Sequence, residues 1–555
     1  MTERPLTHSF REFPERFNMA DYFLYERMAE GMGDRIALRT AREELTYTQV
    51  AEASNRIGNA LRHLGLHPED RVLIALHDTP EFVATIFGTL RIGGVVAMVN
   101  PLLTPEELRY FLEYTRCRVF VCISEVAEKI SKFAMEIRTL EAVIVVGEDL
   151  PQGDLFRSYV QSELEESTKL DPYPTHRDDP AYWLFTSGTT GKPKASIHLH
   201  HDFPWNCERY ALASVGYAQK DVTLSVPKLF FGYATGSNLF FPFAVGATVC
   251  LFRERSTPES VFENIERFKP TLLVSVPTMI LQMANHADAA KHDLKSIRAV
   301  FSAGEALPAE LYRKWQEAFK VEILDGIGSA ELFHIYITNR PGDVVPGSLG
   351  KIVPGYHARI VGPDGNNVSP GEVGTLLVNG DSAAVGYFQA HEKTKEIFRG
   401  DWVRSADLFR LDGSGRFWYS GRTDDILKVG GIFVSPIEIE DCLLSHPAVA
   451  ECAVVAYREA GLEKPMALII PKAGTKPGAA LAGEIAQFVK GAIAPYKFPR
   501  RVKFVEELPK NDRGKVERKK LREAVSEEFL EGSFDTDGPQ GGPGSPRGEG
   551  GGEGA

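Results

Sequence analysis

The nine residues Thr186-Ser187-Gly188-Thr189-Thr190-Gly191-Lys192-Pro193-Lys194 decide how the 555-residue chain is read. They follow a strand-like run at 182–185 (YWLF). Two glycines, four hydroxyls and two lysines crowd into the nine positions. Glycine lets backbone N–H groups approach an anion closely, hydroxyls donate further bonds, and lysine offsets charge, so the stretch suits a loop that wraps a polyphosphate. It is not a Walker A loop. Gly188 and Gly191 stand too close together, and Pro193 occupies the place where serine or threonine is required.

Outward from this loop, buried-strand signals alternate with helical periodicity. Strands are expected at 71–76 (RVLIAL), 95–99, 118–121, 142–146, 272–276, 299–302 and 321–324, and helices at 80–92 and 104–114. The second helix opens on Thr-Pro-Glu-Glu, a strong start signal. The alternation predicts an α/β fold with a large N-terminal domain of parallel-type sheets flanked by helices. Beyond about residue 350, short strands at 358–361, 374–378 and 417–419 lie between Gly, Asp and Pro turns, predicting a small β-rich subdomain. Residues 421–431 (GRTDDILKVGG) read as a linker. A smaller α+β C-terminal domain follows. It opens on a Ser435 capping box with Pro436 at the first helical position. Strands at 453–456, 466–470 and 502–504 and a helix at 485–493 complete it. The expected division is 1–423, 424–531 and a disordered tail at 532–555, where nine of the last 18 residues are glycine.

Composition narrows the class. Hydrophobic residues make up 43% and charged residues 25%, as in ordinary globular proteins. A net charge of −12 argues against a broad nucleic-acid surface. Six scattered cysteines form no CxxC pair, which points away from a disulfide framework or a zinc site and fits a reducing compartment. The N-terminus lacks the apolar core of a signal peptide, and no run reaches the roughly 18 apolar residues of a membrane helix. The expectation is a cytoplasmic protein with neither a membrane nor a nucleic-acid partner.

Five further segments follow the loop in order: 302–308 (SAGEALP), 325–331 (DGIGSAE), 402–409 (WVRSADLF), 421–428 (GRTDDILK) and 509–515 (PKNDRGK). Together the six resemble the motifs of the adenylate-forming superfamily, which comprises acyl-CoA synthetases, adenylation domains of nonribosomal peptide synthetases and firefly-type luciferases. The resemblance spans about residues 15–525. It implies ATP, Mg²⁺ and coenzyme A. In that picture Thr186, Ser187, Gly188, Thr189, Thr190, Gly191, Lys192 and Lys194 wrap the phosphates. Gly304, Glu305, Asp325, Gly326 and Ile327 adjoin adenine, Asp407 grips the ribose hydroxyls, and Arg422 joins the nucleotide-binding set. Glu331 holds Mg²⁺, and Lys515 is the catalytic lysine of a mobile C-terminal domain. Asp424 is its pivot, and Gly430 and Gly431 line the pantetheine path. The chemistry needs such cations, because joining a carboxylate to the α-phosphate of ATP brings two anions together. Two departures stand out. Ala330 replaces the usual threonine, whose hydroxyl bonds the α-phosphate in a contact worth about 1–3 kcal/mol, and Ala195 replaces a glycine.

The segment 228–236 (KLFFGYATG), Phe17-Asn18 and Leu332-Phe333-His334-Ile335 most resemble benzoate–CoA ligases and their relatives acting on hydroxy- or aminobenzoates. Phe231 and Tyr233 predict a short, flat pocket for one aromatic ring, with Gly236 and His334 beside it. His334 and Tyr233 also read as core residues, Lys228 equally as a solvated lysine, and Asp202 has no clear role. The expected activity is ATP-dependent aryl-CoA ligation. Benzoate or a substituted benzoate passes through aryl-AMP to aryl-CoA, releasing AMP and pyrophosphate. The expected partners are a small aromatic acid and CoA, with the chain a monomer or homodimer. Two alternatives stay open: a ligase that takes another small acid or loads a carrier protein, and a non-catalytic nucleotide- or acyl-binding protein suggested by Ala330. No carrier domain is read after residue 531, which favours free CoA.

Overall fold

Strands buried along their whole length set the architecture. Val95–Met98, Val119–Ile123, Leu272–Ser275 and Ala299–Ser302 expose no residue. Strands covered on both faces belong in parallel sheets flanked by helices. The computed structural model describes residues 10–186, 192–422, 427–429, 432–459, 462–494, 497–510, 516–525 and 527–536.

A seven-stranded sheet runs Phe156–Ser158, Ala142–Val146, Val119–Ile123, Arg71–Ala75, Val95–Met98, Pro180–Thr186, Lys194–Leu199. Its neighbours are parallel except the last two, which form an antiparallel hairpin. A nine-stranded sheet runs Lys351–Ile352, Ile335–Thr338, Ile323–Gly328, Ala299–Ser302, Leu272–Ser275, Val222–Ser225, Thr248–Cys250, Ile36–Arg39, Glu44–Thr46. It is parallel in its middle and antiparallel at both edges. Helix Pro80–Arg91 presents Phe87 to Phe243, with rings stacked at 5.5 Å and 6°. One continuous buried core takes side chains from both large sheets. The β-rich subdomain is an antiparallel sheet of His357–Val361, Gly374–Asn379, Trp402–Leu411, Phe398–Arg399 and Phe417–Arg422. The α/β class and the smaller α+β unit are as expected. Val449–Glu459, Leu462–Pro471, Arg501–Phe504 and Phe534–Asp535 form its four-stranded sheet. Helices Pro436–Leu444 and Ala479–Ala492 close a separate core around Leu443, Val454, Ala467, Ile485 and Val502.

Three expectations need correction. The stretch 421–431 is not a plain linker. Gly421 and Arg422 finish a strand, and Leu427–Val429 pairs antiparallel with Ile432–Val434. The reason is apolar: Leu427 and Val434 are register partners and both are buried. Residues 532–536, expected as the start of the tail, belong to the C-terminal unit. Phe534 pairs with Val502 and packs on Phe504 at 5.9 Å, so residues up to 536 join the sheet. Residues 537–555 lie outside the described residues. The Ser435 capping box is half made. Ser435 Oγ accepts from Glu438 N at 3.3 Å, but the Glu438 carboxylate takes the Lys497 ammonium at 2.5 and 2.7 Å. A cation out-competes a backbone N–H for that carboxylate. Among the described residues no helix is long and apolar enough to cross a membrane.

Candidate active site

Thr186 ends its strand opposite Lys194, so the phosphate-type loop is the turn of a hairpin at the C-terminal end of a sheet strand. Residues 187–191, and with them Ser187, Gly188, Thr189, Thr190 and Gly191, lie outside the described residues. The returning limb is held by two tyrosines that sequence reasoning missed. Tyr110 Oη donates to Pro193 O at 2.8 Å. Tyr114 Oη accepts from Ala195 N at 3.2 Å and donates to Phe388 O at 2.7 Å. The rings stack at 5.4 Å and 12°, one turn apart on helix Pro105–Thr115. That i, i+4 spacing was the available signal. The Lys192 ammonium is exposed and lies 5.4 Å from the Tyr110 ring. Ala195 sits inside a regular strand, where a Cβ is tolerated.

Ser302 and Asp325 are register partners at the C-terminal ends of adjacent parallel strands, where open α/β sheets bind ligands. Both are buried, with the Ser302 hydroxyl against the Asp325 carboxyl. Burial pushes the Asp325 carboxyl well above the usual carboxylate range. Gly304 has φ +88° with open space where a Cβ would point. Glu305 is already used: it accepts from Thr278 N at 3.1 Å and Thr278 Oγ1 at 2.7 Å, anchoring its turn to helix Pro277–Asn285. Gly326 and Ile327 pair with Thr338 and Ile337. Asp407 accepts from Ser405 Oγ at 3.0 Å and from Tyr419 Oη at 3.4 Å, and its backbone lies opposite Arg422. Burial, and then the nearby charges of Asp407 and Glu331, raise the Tyr336 hydroxyl well above its ordinary value. Asp424, Gly430, Gly431 and Lys515 lie outside the described residues. The flanks of 511–515 do meet, through a bridge between Lys510 and Val516.

Glu331 sits in a tightly held turn. Its Oε1 accepts from Tyr387 Oη at 2.6 Å. Three successive carbonyls are each taken from outside. Ala330 O meets His198 Nε2 at 2.7 Å, Glu331 O accepts from Ala384 N at 2.9 Å, and Leu332 O accepts from Ser382 Oγ at 2.9 Å. His334 N closes a γ-turn on Leu332 O at 2.9 Å, with Phe333 at φ 67° and ψ −61°. That conformation is strained for a non-glycine residue. Among the described residues no three His, Cys, Asp or Glu side chains gather to hold a metal. Glu331 is therefore a donor set of one carboxylate. That fits Mg²⁺, which takes one or two carboxylates and completes its shell with water and substrate phosphates.

Of the residues expected around an acyl pocket, Tyr233, Gly236 and His334 come together. The His334 ring lies 5.4 Å from the Tyr233 ring, and Nε2 faces Tyr233 O at 3.0 Å and Ser237 Oγ at 3.1 Å. The core reading is thus half met, because His334 Nδ1 and Tyr233 Oη are both buried without a partner. Burial lowers His334 to about 3, so its ring is neutral. A Cβ on Gly236 would lie 2.4 Å from His334 Cδ2. Phe231 caps the helix Gly232–Thr235, half-exposed and 4.4 Å from Phe230. Lys228 is not a solvated lysine. Its ammonium donates to Phe252 O at 2.9 Å, and burial lowers it to about 8. Beside it, buried Asp78 accepts from Leu229 N at 2.9 Å and is raised by burial to about 6.

The chain belongs to the AMP-binding enzyme family, whose model matches residues 25–388, and the AMP-binding enzyme C-terminal domain matches residues 438–515. Within that family it is 41% identical to the benzoate–CoA ligase of Thauera aromatica, over 92% of this chain and 97% of that protein. It is 39% identical to the 4-hydroxybenzoate–CoA/benzoate–CoA ligase of Rhodopseudomonas palustris, over 91% and 94% of the two chains. Among solved structures, the anthranilate CoA ligase AuaEII in complex with anthranoyl-AMP superposes with a TM-score of 0.87 at 39% identity, covering 92% of this chain and 98% of that one. A benzoate CoA ligase from Burkholderia xenovorans LB400 gives 0.82 at 37%, covering 91% and 100%.

Proposed function

We propose that this chain is an ATP-dependent aryl-CoA ligase acting on benzoate or a substituted benzoate. A carboxylate oxygen attacks the α-phosphorus of ATP and pyrophosphate leaves. The CoA thiol then attacks the aryl-AMP carbonyl and AMP leaves with the bonding pair. The observation that carries this reading is the cluster of Tyr233, Gly236 and His334, in which His334 Nδ1 and Tyr233 Oη are buried without a partner, close in sequence to the Glu331 turn. Two aromatic walls and a neutral imidazole suit a flat ring better than a long acyl chain. Relatives that take benzoate and hydroxybenzoate support it.

The remaining roles follow the same reading. Thr186, Lys192 and Lys194 frame the loop for the phosphates, and Asp325 adjoins adenine. Asp407 accepts from the ribose hydroxyls. Mg²⁺, when bound at Glu331, would offset phosphate charge. Lys515 brings a cation to the two reacting anions, Asp424 is the pivot, and Gly430 and Gly431 line the path of the thiol. The two family matches support a division near residue 423, and in this reading the C-terminal unit is the mobile one. A cytoplasmic setting suits six cysteines that are all free.

The test is pyrophosphate and AMP release from ATP across benzoate, 2-aminobenzoate, 4-hydroxybenzoate, cinnamate, octanoate, acetate and phenylalanine, with and without CoA. Release with benzoates that turns over only with CoA supports the proposal. Release independent of CoA points to a carrier-protein acceptor. ATP binding without release from any acid overturns the ligase reading.

A further inference from the structure

Asp202 had no role in the sequence, and the site just described does not use it. It is fully buried, as is His198. His198 Nδ1 faces Asp202 Oδ2 at 2.7 Å, and His198 Nε2 faces Ala330 O at 2.7 Å. A carbonyl can only accept, and the carboxylate already accepts from Leu199 N at 3.1 Å. His198 Nε2 therefore carries a proton and donates it to Ala330 O, while Nδ1 is held by Asp202 Oδ2. Burying such a pair is costly, and an apolar pair of the same shape would pack as well. Its geometry does something an apolar pair would not: it delivers an N–H to the carbonyl next to Glu331.

We propose that His198, oriented by Asp202, is a positioning residue for the turn that carries the metal-binding acid. The inference rests on the reading of Glu331 as that acid. Residue 330 is the alanine that stands in place of the usual threonine, so it offers no hydroxyl to the phosphates. The segment meets its ligands through Glu331, whose aim depends on the backbone. His198 holds the first of the three clamped carbonyls, and Ala384 and Ser382 hold the next two. Phe203 stacks on Phe333 at 3.4 Å and keeps the turn against the helix that carries Asp202. Partners one shell outside a metal ligand are worth about ten- to a hundredfold in metal affinity.

The experiment is Mn²⁺ binding to the full-length enzyme with ATP and no acid, followed by electron paramagnetic resonance. His198→Ala should weaken Mn²⁺ binding by about ten- to a hundredfold, while thioester formation from supplied aryl-AMP and CoA stays near wild type. Asp202→Asn should retain most of the affinity, because neutral His198 keeps its Nε2 proton and accepts the amide at Nδ1. If His198→Ala does not fold, His198→Phe/Asp202→Leu removes both polar partners together and leaves no orphaned charge. It should show the same loss of Mn²⁺. Unchanged Mn²⁺ affinity in the folded donor-less variant overturns the proposal. So does an Asp202→Asn loss as large as that of His198→Ala. Glu331→Gln run alongside separates the two readings. If it binds Mn²⁺ normally, the metal role of Glu331 fails. If it alone is impaired, only the positioning role fails.

Discussion

Alanine at position 236 puts a methyl where His334 now lies. The added Cβ would sit 2.4 Å from His334 Cδ2 and 2.8 Å from Nε2, against 3.4 Å for an ordinary contact. The ring must retreat by about 1 Å, the difference between those distances. Its Nε2 bonds to Tyr233 O and Ser237 Oγ start at 3.0 and 3.1 Å, so a shift of that size takes them beyond hydrogen-bonding reach. Losing a buried bond costs about 1–3 kcal/mol. If that loss falls on the bound acid, benzoate KM rises about five- to a hundredfold. The ATP site lies outside the contact, so ATP KM is the internal control. The assay is pyrophosphate release against benzoate at saturating ATP, then against ATP at saturating benzoate, on protein with a cooperative melt. An unchanged benzoate KM would refute the placement of His334 in the acyl pocket. An ATP KM that moves as far as the benzoate KM would refute it equally.

Four further outcomes are expected. Tyr387→Phe removes the 2.6 Å bond to Glu331 and should raise the Mg²⁺ needed for half-maximal adenylation by about tenfold; a magnesium titration checks it. Ala330→Thr should speed aryl-AMP formation by up to about tenfold, read as single-turnover pyrophosphate release; a slower variant would count against the α-phosphate contact. Lys515→Ala should lose adenylation by several orders of magnitude more than thioesterification of supplied aryl-AMP, and equal losses would undercut its role. Asp78 is raised from 3.8 to about 6, so its folded-state proton stabilises fully below about pH 4, and that stability is lost as pH rises through 6. Relative to wild type, Asp78→Asn should therefore gain up to about 3 kcal/mol between pH 4 and 7. Urea midpoints across that range measure it, and a flat difference refutes the assignment.

What the sequence showed was local chemistry. The Gly-, Thr- and Lys-rich loop announces itself within nine residues, and the strand that precedes it is visible as an apolar run, whereas the returning strand Lys194–Leu199 was not read. The aromatic segment around Tyr233 and the turn before His334 were separately readable, and the fold brings them together. What stayed hidden depends on distance along the chain. Asp202 reaches the site only because His198 meets Ala330, 132 residues away. Tyr387 meets Glu331 across 56 residues, and Tyr114 meets Phe388 across 274. No periodicity reports such contacts. The compact motif makes Glu305 legible as a ligand-facing acid, but it does not report that Oε2 also accepts from Thr278 on a neighbouring helix. Phe534 was hidden by the glycines that follow it. Its burial depends on Phe504, which composition cannot see.

The strand Lys194–Leu199 closes one side of the seven-stranded sheet, and its outer rim is not bare. Ile197 N donates to Gly386 O at 3.0 Å, Val385 N to Ile197 O at 3.0 Å and Phe388 N to Ala195 O at 2.9 Å. An uncovered rim of this kind templates strand addition between molecules. A shortened protein ending before residue 385 would bare that rim and invite self-association, whatever its remaining stability. Any fragment prepared to study nucleotide binding alone should therefore run past residue 388, so that the hairpin under the phosphate loop keeps its cover.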